Sequence, residues 1–172
     1  MTALYQKGDY IRYAAAGVCL IEDIKKIDYT HSHKPQDFYV LKPVAASGST
    51  IYVPLANEEL TAKMRYILNH GEIDSLIESM KNEKIEWIDD RKERTESFKA
   101  VIKRCEPQEL LRLVSCIYLK KQEFAENGKK LSATDDSILS QAETLIENEF
   151  SFVLNLSGGQ VGEYIRQKLG IE

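Results

Sequence analysis

Hydrophobic spacing changes character at Asn57, and that change limits the chain to a small β module followed by helices. Upstream, apolar residues come in short runs between turn formers. Tyr10-Ile11-Arg12-Tyr13 follows Lys7-Gly8-Asp9; Gly17 to Ile24 and Phe38-Tyr39-Val40-Leu41 come next; Thr50 to Leu55 follows Ala46-Ser47-Gly48-Ser49. Short strands joined by short turns predict a small, strongly bent antiparallel sheet or barrel. Pro54 has no N–H to donate, so it belongs at an edge or at the end of its strand. The polar, Pro-containing stretch His31 to Asp37 reads as a loop.

Downstream the period is helical. Asn57-Glu58-Glu59-Leu60 reads as a helix start, and Leu60, Met64, Ile67 and Leu68 follow at helical spacing. Gly71 interrupts, and Ile73, Leu76, Ile77 and Met80 make a second short amphipathic stretch. Phe98, Val101, Ile102 and Cys105 lie at i, i+3, i+4, i+7 on one apolar face. Pro107 occupies the first position of a helix that Asn127-Gly128 ends. The broad apolar surface from Leu110 to Phe124 makes it the central helix of a bundle. Ser132-Ala133-Thr134-Asp135 resembles a capping box with Asp in the place of Glu, and opens a helix with apolar positions from Ile138 to Val153. Ser157-Gly158-Gly159 is expected to stop that helix, and Val161, Tyr164, Ile165 and Leu169 to form a last one ending at Gly170. The fold class is α+β: a β module at 1–58 and an all-α helical domain at 66–172.

Composition narrows the function. A chain of 172 residues, 43% hydrophobic and 29% charged, is expected to be globular. The net charge of −4 argues against a free-standing nucleic-acid binder. No apolar run approaches the roughly 18 residues of a membrane span, and the first residues lack the order of a signal peptide. Three cysteines without CxxC spacing, Cys19, Cys105 and Cys116, read as buried thiols in a reducing compartment, so the expected location is cytoplasmic. His31-Ser32-His33 lies in an expected loop, and His70 stands apart, so no metal site is expected. Asp89-Asp90 and Asp135-Asp136 are helix-start charges rather than an acid/base pair, and Ser157-Gly158-Gly159-Gln160 lacks a phosphate-loop pattern. No enzyme and no cofactor are expected.

Trp87 is the only Trp, and positive charge concentrates behind it: residues 91–104 hold Arg91, Lys92, Arg94, Lys99, Lys103 and Arg104 against Glu93 and Glu96. Two readings stand side by side. A helix beginning at or before Trp87 would carry the indole onto the Phe98 face and into the core. A helix capped by Asp90, with Asp90-Arg91-Lys92-Glu93 in a capping-box pattern, would leave Trp87 just outside it. There the indole could wedge against an unstacked base step while Arg91, Lys92 and Arg94 met phosphates.

In order and spacing, several motifs resemble the CarD/CdnL family of bacterial transcription regulators. They are Gly8-Asp9-Tyr10-Ile11-Arg12-Tyr13, Gly17-Val18, Phe38-Tyr39-Val40-Leu41, and Ile51-Tyr52-Val53-Pro54-Leu55-Ala56-Asn57. Trp87, Gly128-Lys129-Lys130-Leu131-Ser132, Ile138-Leu139-Ser140-Gln141-Ala142 and Leu145-Ile146-Glu147-Asn148-Glu149 extend the resemblance over about residues 4–156.

The resemblance implies a Tudor-like, SH3-like β-barrel, a module shared with transcription-repair coupling factor, which docks on the RNA polymerase β subunit by adding a strand to its edge. It implies that the helical domain touches promoter DNA at the bubble edge, with the Trp in the minor groove slowing bubble collapse. The expected polymerase-facing residues are Lys25, Lys26, Ile51, Tyr52, Val53 and Pro54. The expected DNA-facing residues are Trp87, Arg91, Lys92 and Arg94. DNA contact would be weak and polymerase-dependent, because docking raises the local DNA concentration.

The chain departs from the family pattern at four places. Ala14-Ala15-Ala16 replaces a Pro- and His-containing turn, Tyr52 stands at an often basic position, and Asp89 and Asp90 stand where Arg is common. A second basic position aligns with about Ile27, beside Lys25 and Lys26. The alternative function is a polymerase- or protein-docking adaptor without DNA contact.

Overall fold

A computed structural model describes residues 3–28, 34–83 and 86–170. His31, Ser32 and His33 lie outside the described residues. The chain divides into two compact units, Met1–Ile67 and Leu68–Glu172.

The first unit is a five-stranded antiparallel sheet in the order β4-β3-β2-β1-β5. Its strands are β1 (Tyr10–Tyr13), β2 (Val18–Ile27), β3 (Gln36–Pro43), β4 (Ile51–Pro54) and β5 (Met64–Tyr66). The expected barrel is not closed: β4 and β5 are the two edges. Pro54 is the last residue of an edge strand, where its missing donor costs no ladder bond. Gly17 turns the chain between β1 and β2 at φ 76°, ψ −148°, a conformation that a side chain would strain. The ladder between β2 and β3 slips between Ile21 and Asp23. That bulge puts both Ile21, opposite Leu41, and Ile24, opposite Tyr39, on the core face although they are three apart. The core gathers Tyr5, Ile11, Cys19, Ile21, Tyr39, Leu41, Val53 and Met64.

The helix expected to run from Asn57 through Leu68 is a single turn. Asn57 caps it, accepting from the Leu60 N–H at 3.1 Å, but α1 spans only Glu58–Thr61. The chain then extends so that Met64, Arg65 and Tyr66 pair with Tyr13, Arg12 and Ile11. The open edge of β1 offers these residues backbone partners, and that overrides a helical pattern of few apolar positions. Residues 59–65, which the sequence leaves between the two modules, belong to the first unit together with Tyr66, and Met64–Tyr66 complete the sheet.

The second unit contains α2 (His70–Ser79), α3 (Arg91–Arg104), α4 (Pro107–Glu126), α5 (Ala133–Leu154) and α6 (Gly158–Leu169). Gly71 does not interrupt anything. It lies in the first turn of α2, where Asn69 and Glu72 form a reciprocal capping box. Pro107 opens α4, and Ser132 caps α5 by accepting from the Asp135 N–H at 3.1 Å. Ser157 starts α6 rather than stopping α5, through a capping box with Gln160. α5 ends earlier, at Asn155, in the left-handed region at φ 53°. Ile73, Ile77, Leu110, Ile117, Ala142, Phe150 and Val161 fill the core. Within it Glu149 is wholly buried, and its carboxylate accepts from the Leu68 N–H at 2.9 Å.

Candidate functional site

Two surfaces carry the residues singled out from the sequence, one in each unit. In the first, the cross-strand rows of the sheet decide which side chains act together. Asp23, Val40 and Tyr52 form one row, and Lys25, Phe38 and Pro54 form the next on the same face. Lys25, Tyr52 and Pro54 therefore share the face opposite the Tyr39–Val53 core. Tyr52 is 44% exposed there, and Lys25 reaches solvent with its Nζ 3.9 Å from Asp23. Ile51 and Val53 face the core, and Val53 is fully buried. Their side chains hold β4 in place; the Leu55 N–H donates to the Asp37 carbonyl at 2.9 Å, so by alternation the backbone of Ile51 and Val53 also faces β3, and that of Tyr52 faces the open edge. Lys26, opposite Asp37, is exposed near the far end of β2. As a sheet edge with exposed Tyr52, β4 can accept another strand.

The second surface surrounds Trp87. Trp87 lies outside any helix or strand, and α3 begins at Arg91 with Asp90 as its cap, accepting from the Glu93 N–H at 2.8 Å. The indole is half-buried. Its ring meets Phe98 of α3 edge-on at 6.0 Å between centres and Phe124 of α4 at 6.2 Å. The guanidinium carbon of Arg94 lies 4.4 Å from the ring centre, and the Lys120 Nζ lies 5.7 Å from it. Trp87 thus combines features of both readings: it lies outside the helix, yet one side of it packs on the core cluster.

The basic patch splits. Arg91 and Lys92 are exposed in the first turn of α3. Arg94 is buried: Nε and Nη2 donate to the two carboxylate oxygens of Asp135 at 3.1 and 2.9 Å. Its Nη1 donates to the carbonyls of Ile88 and Asp89 at 2.9 and 3.1 Å. A guanidinium so engaged braces the Trp87 segment and has little left to give a phosphate. Arg104 is held by Glu109, 2.8 Å away. Asp89 and Asp90 are exposed beside the indole. Lys120 and Phe124 escaped the sequence reading because nothing local ties α4 to Trp87. Their i, i+4 spacing on α4 is the one signal that places them together.

Cys19, Cys105 and Cys116 are buried thiols, and none is in a disulfide. Burial pushes the Cys19 thiol up to about 11, leaving it unreactive at neutral pH. The His70 Nδ1 lies 3.3 Å from Asp74, whose carboxyl also accepts from the Tyr164 hydroxyl at 2.5 Å. Among the described residues no group of three or more His, Cys, Asp or Glu could hold a metal ion, and no helix is long and apolar enough to cross a membrane.

A comparison with curated proteins returns no match. A comparison with protein families matches residues 5–68 to the CarD-like/TRCF RID domain. The match covers all five strands and ends within two residues of the boundary between the units. Domains of this type are regulatory modules that bind RNA polymerase. The N-terminal unit of this protein is therefore a CarD-like/TRCF RID domain, an RNA polymerase-interacting domain.

Proposed function

We propose that the protein is a transcription regulator that docks on the RNA polymerase β subunit through β4 and uses its helical unit to contact promoter DNA at the bubble edge. The observation that carries the reading is the RID domain at residues 5–68 in a chain whose single Trp stands partly buried at the mouth of a helix. Strand addition at β4 gives adhesion through backbone bonds, with Tyr52 and Lys25 beside it for specificity. The exposed part of the Trp87 indole lies against an unstacked base step in the minor groove, and Arg91 and Lys92 meet flanking phosphates. Arg94 serves this contact indirectly, by holding the indole. A chain of net charge −4 with Asp89 and Asp90 at the contact binds DNA weakly alone, so polymerase docking supplies the effective concentration.

Those same aspartates and the buried Arg94 favour a second reading, an adaptor that docks on polymerase without touching DNA. Two measurements on the full chain separate the readings. Pull-down with the β subunit tests docking, and absence of binding rejects both. Open-complex lifetime tests DNA contact: under the first reading Trp87→Ala shortens it while β-subunit binding is unchanged. An unchanged lifetime leaves the adaptor.

A further inference from the structure

The helical unit has an open groove that lies apart from Trp87. α2, α4, α5 and α6 line a cavity of about 200 Å³, with Ile77, Leu111, Ile146 and Val161 buried on its floor. At its mouth on α4, Tyr118 and Leu119 are 38% and 55% exposed. Large apolar side chains exposed at the rim of an apolar groove form a surface that a partner helix can complete.

Charge selects the kind of partner. Glu143 and Glu147 stand one turn apart on α5 along one wall. Among the described residues neither has a Lys or Arg within ion-pair distance, and Lys121 is held by Asp136 at 3.0 Å. Burial, and then the neighbouring Glu147, push the Glu143 carboxyl above its usual value. A carboxylate in that situation gains from an incoming cation. α5 itself contains no Lys or Arg. Arg166 is the one basic side chain in the lining, so the groove keeps a net negative charge.

Gly162 keeps the mouth open. It lies well inside α6, where glycine is a poor helix former. A Cβ at this position would meet only the end of the Arg166 side chain, at 3.6 Å.

We propose that this groove docks one amphipathic helix of a partner protein, which lays apolar side chains over Ile77 and Ile146 and sets Lys or Arg against Glu143 and Glu147. The occupant is a protein and not a nucleic acid, because the two carboxylates repel phosphate. The surface does not use β4 or Trp87, so it stands or falls independently of the polymerase reading.

The test uses the full chain and a fluorescein-labelled helical peptide with Leu at i, i+3, i+4 and i+7 flanked by Lys. Its counterpart carries Glu in place of each Lys. Fluorescence anisotropy is expected to show saturable binding of the Lys peptide, at least about tenfold tighter than the Glu peptide at low salt. Glu143→Gln with Glu147→Gln removes that preference. Gly162→Leu fills the mouth and abolishes binding, while its thermal midpoint stays level or rises because Leu favours the helix. Equal affinity for the two peptides overturns the proposal, as does undiminished binding by a folded Gly162→Leu protein. A dimer seen in sedimentation of the wild type and lost in Gly162→Leu also overturns it, since the occupant would then be a second copy of the chain.

Discussion

Arg94 and Asp135 form a buried bidentate pair across 41 residues of sequence, and the same guanidinium stacks 4.4 Å from the centre of the Trp87 ring. One side chain thus ties the first turn of α5, the carbonyls of Ile88 and Asp89, and the indole into a single unit. Removing one partner strands a charge in the interior. Asp135→Ala is expected to cost about 3–5 kcal/mol in urea unfolding. Replacing both members with apolar residues, Arg94→Met with Asp135→Leu, restores much of that stability but frees the Trp87 segment, so open-complex stabilisation stays low.

The same pair sets a pH dependence. Burial by itself would raise the Asp135 carboxyl, but hydrogen bonds from Arg94 and Ser132 outweigh it and hold the group below its ordinary value of 3.8. The carboxylate therefore adds stability above that value, and the contribution fades as pH falls through the lower value of the folded chain. Urea midpoints at neutral and acid pH are expected to show a steeper acid loss for the wild type than for Asp135→Asn.

Trp87 packs on Phe98 and Phe124, lies under Arg94, and is only partly exposed. Trp87→Ala is expected to cost about 1–3 kcal/mol, less than truncation of a fully enclosed aromatic. Because it is the only Trp, its fluorescence reports on this site alone. Acrylamide should quench it to a degree between that of a free indole and that of a buried one.

At β4 the two faces separate stability from binding. Tyr52→Glu changes a side chain that is 44% exposed and is expected to cost about 1 kcal/mol of stability. It should weaken polymerase β-subunit binding in titration calorimetry at least about tenfold, by placing a charge in the interface. Val53→Ala does the reverse: it costs stability, since Val53 is fully buried, and leaves binding through the backbone largely intact.

The charges around the indole can be tested through salt. Arg91→Ala with Lys92→Ala should lower the salt dependence of polymerase-assisted promoter binding by about one unit of slope per residue. Asp89→Asn with Asp90→Asn removes phosphate repulsion while Asn keeps the helix cap, so it is expected to lengthen the open-complex lifetime.

Much of the fold is legible locally because its signals act over a few residues. Asp90, Pro107 and Ser132 open helices where their types predict, and Pro54 ends an edge strand. Short-range rules failed where a distant partner intervened. Met64 and Ile67 have helical spacing, but the vacant edge of β1 recruits Met64–Tyr66 as β5. Ser157-Gly158-Gly159 reads as a stop, yet Gln160 turns Ser157 into a cap. In the candidate site, the mouth of α3 was readable from Asp90, whereas the fate of Arg94 was not. An Arg two residues past Lys92 looks like one more phosphate ligand until Asp135, 41 residues further along the chain, packs against it.

The sequence by itself determined the division into a β module and a helical unit, most of the helix caps, and the RID motifs of residues 5–68. Those properties follow from side-chain periodicity and from hydrogen bonds spanning three or four residues. Tertiary structure alone decided that the sheet stays open, that Tyr52 and Lys25 share a face, that Arg94 braces the indole, and that a groove opens beside Gly162. Each of these depends on which distant backbone edge or charge comes within a few ångströms, and hydrophobic spacing carries no record of that.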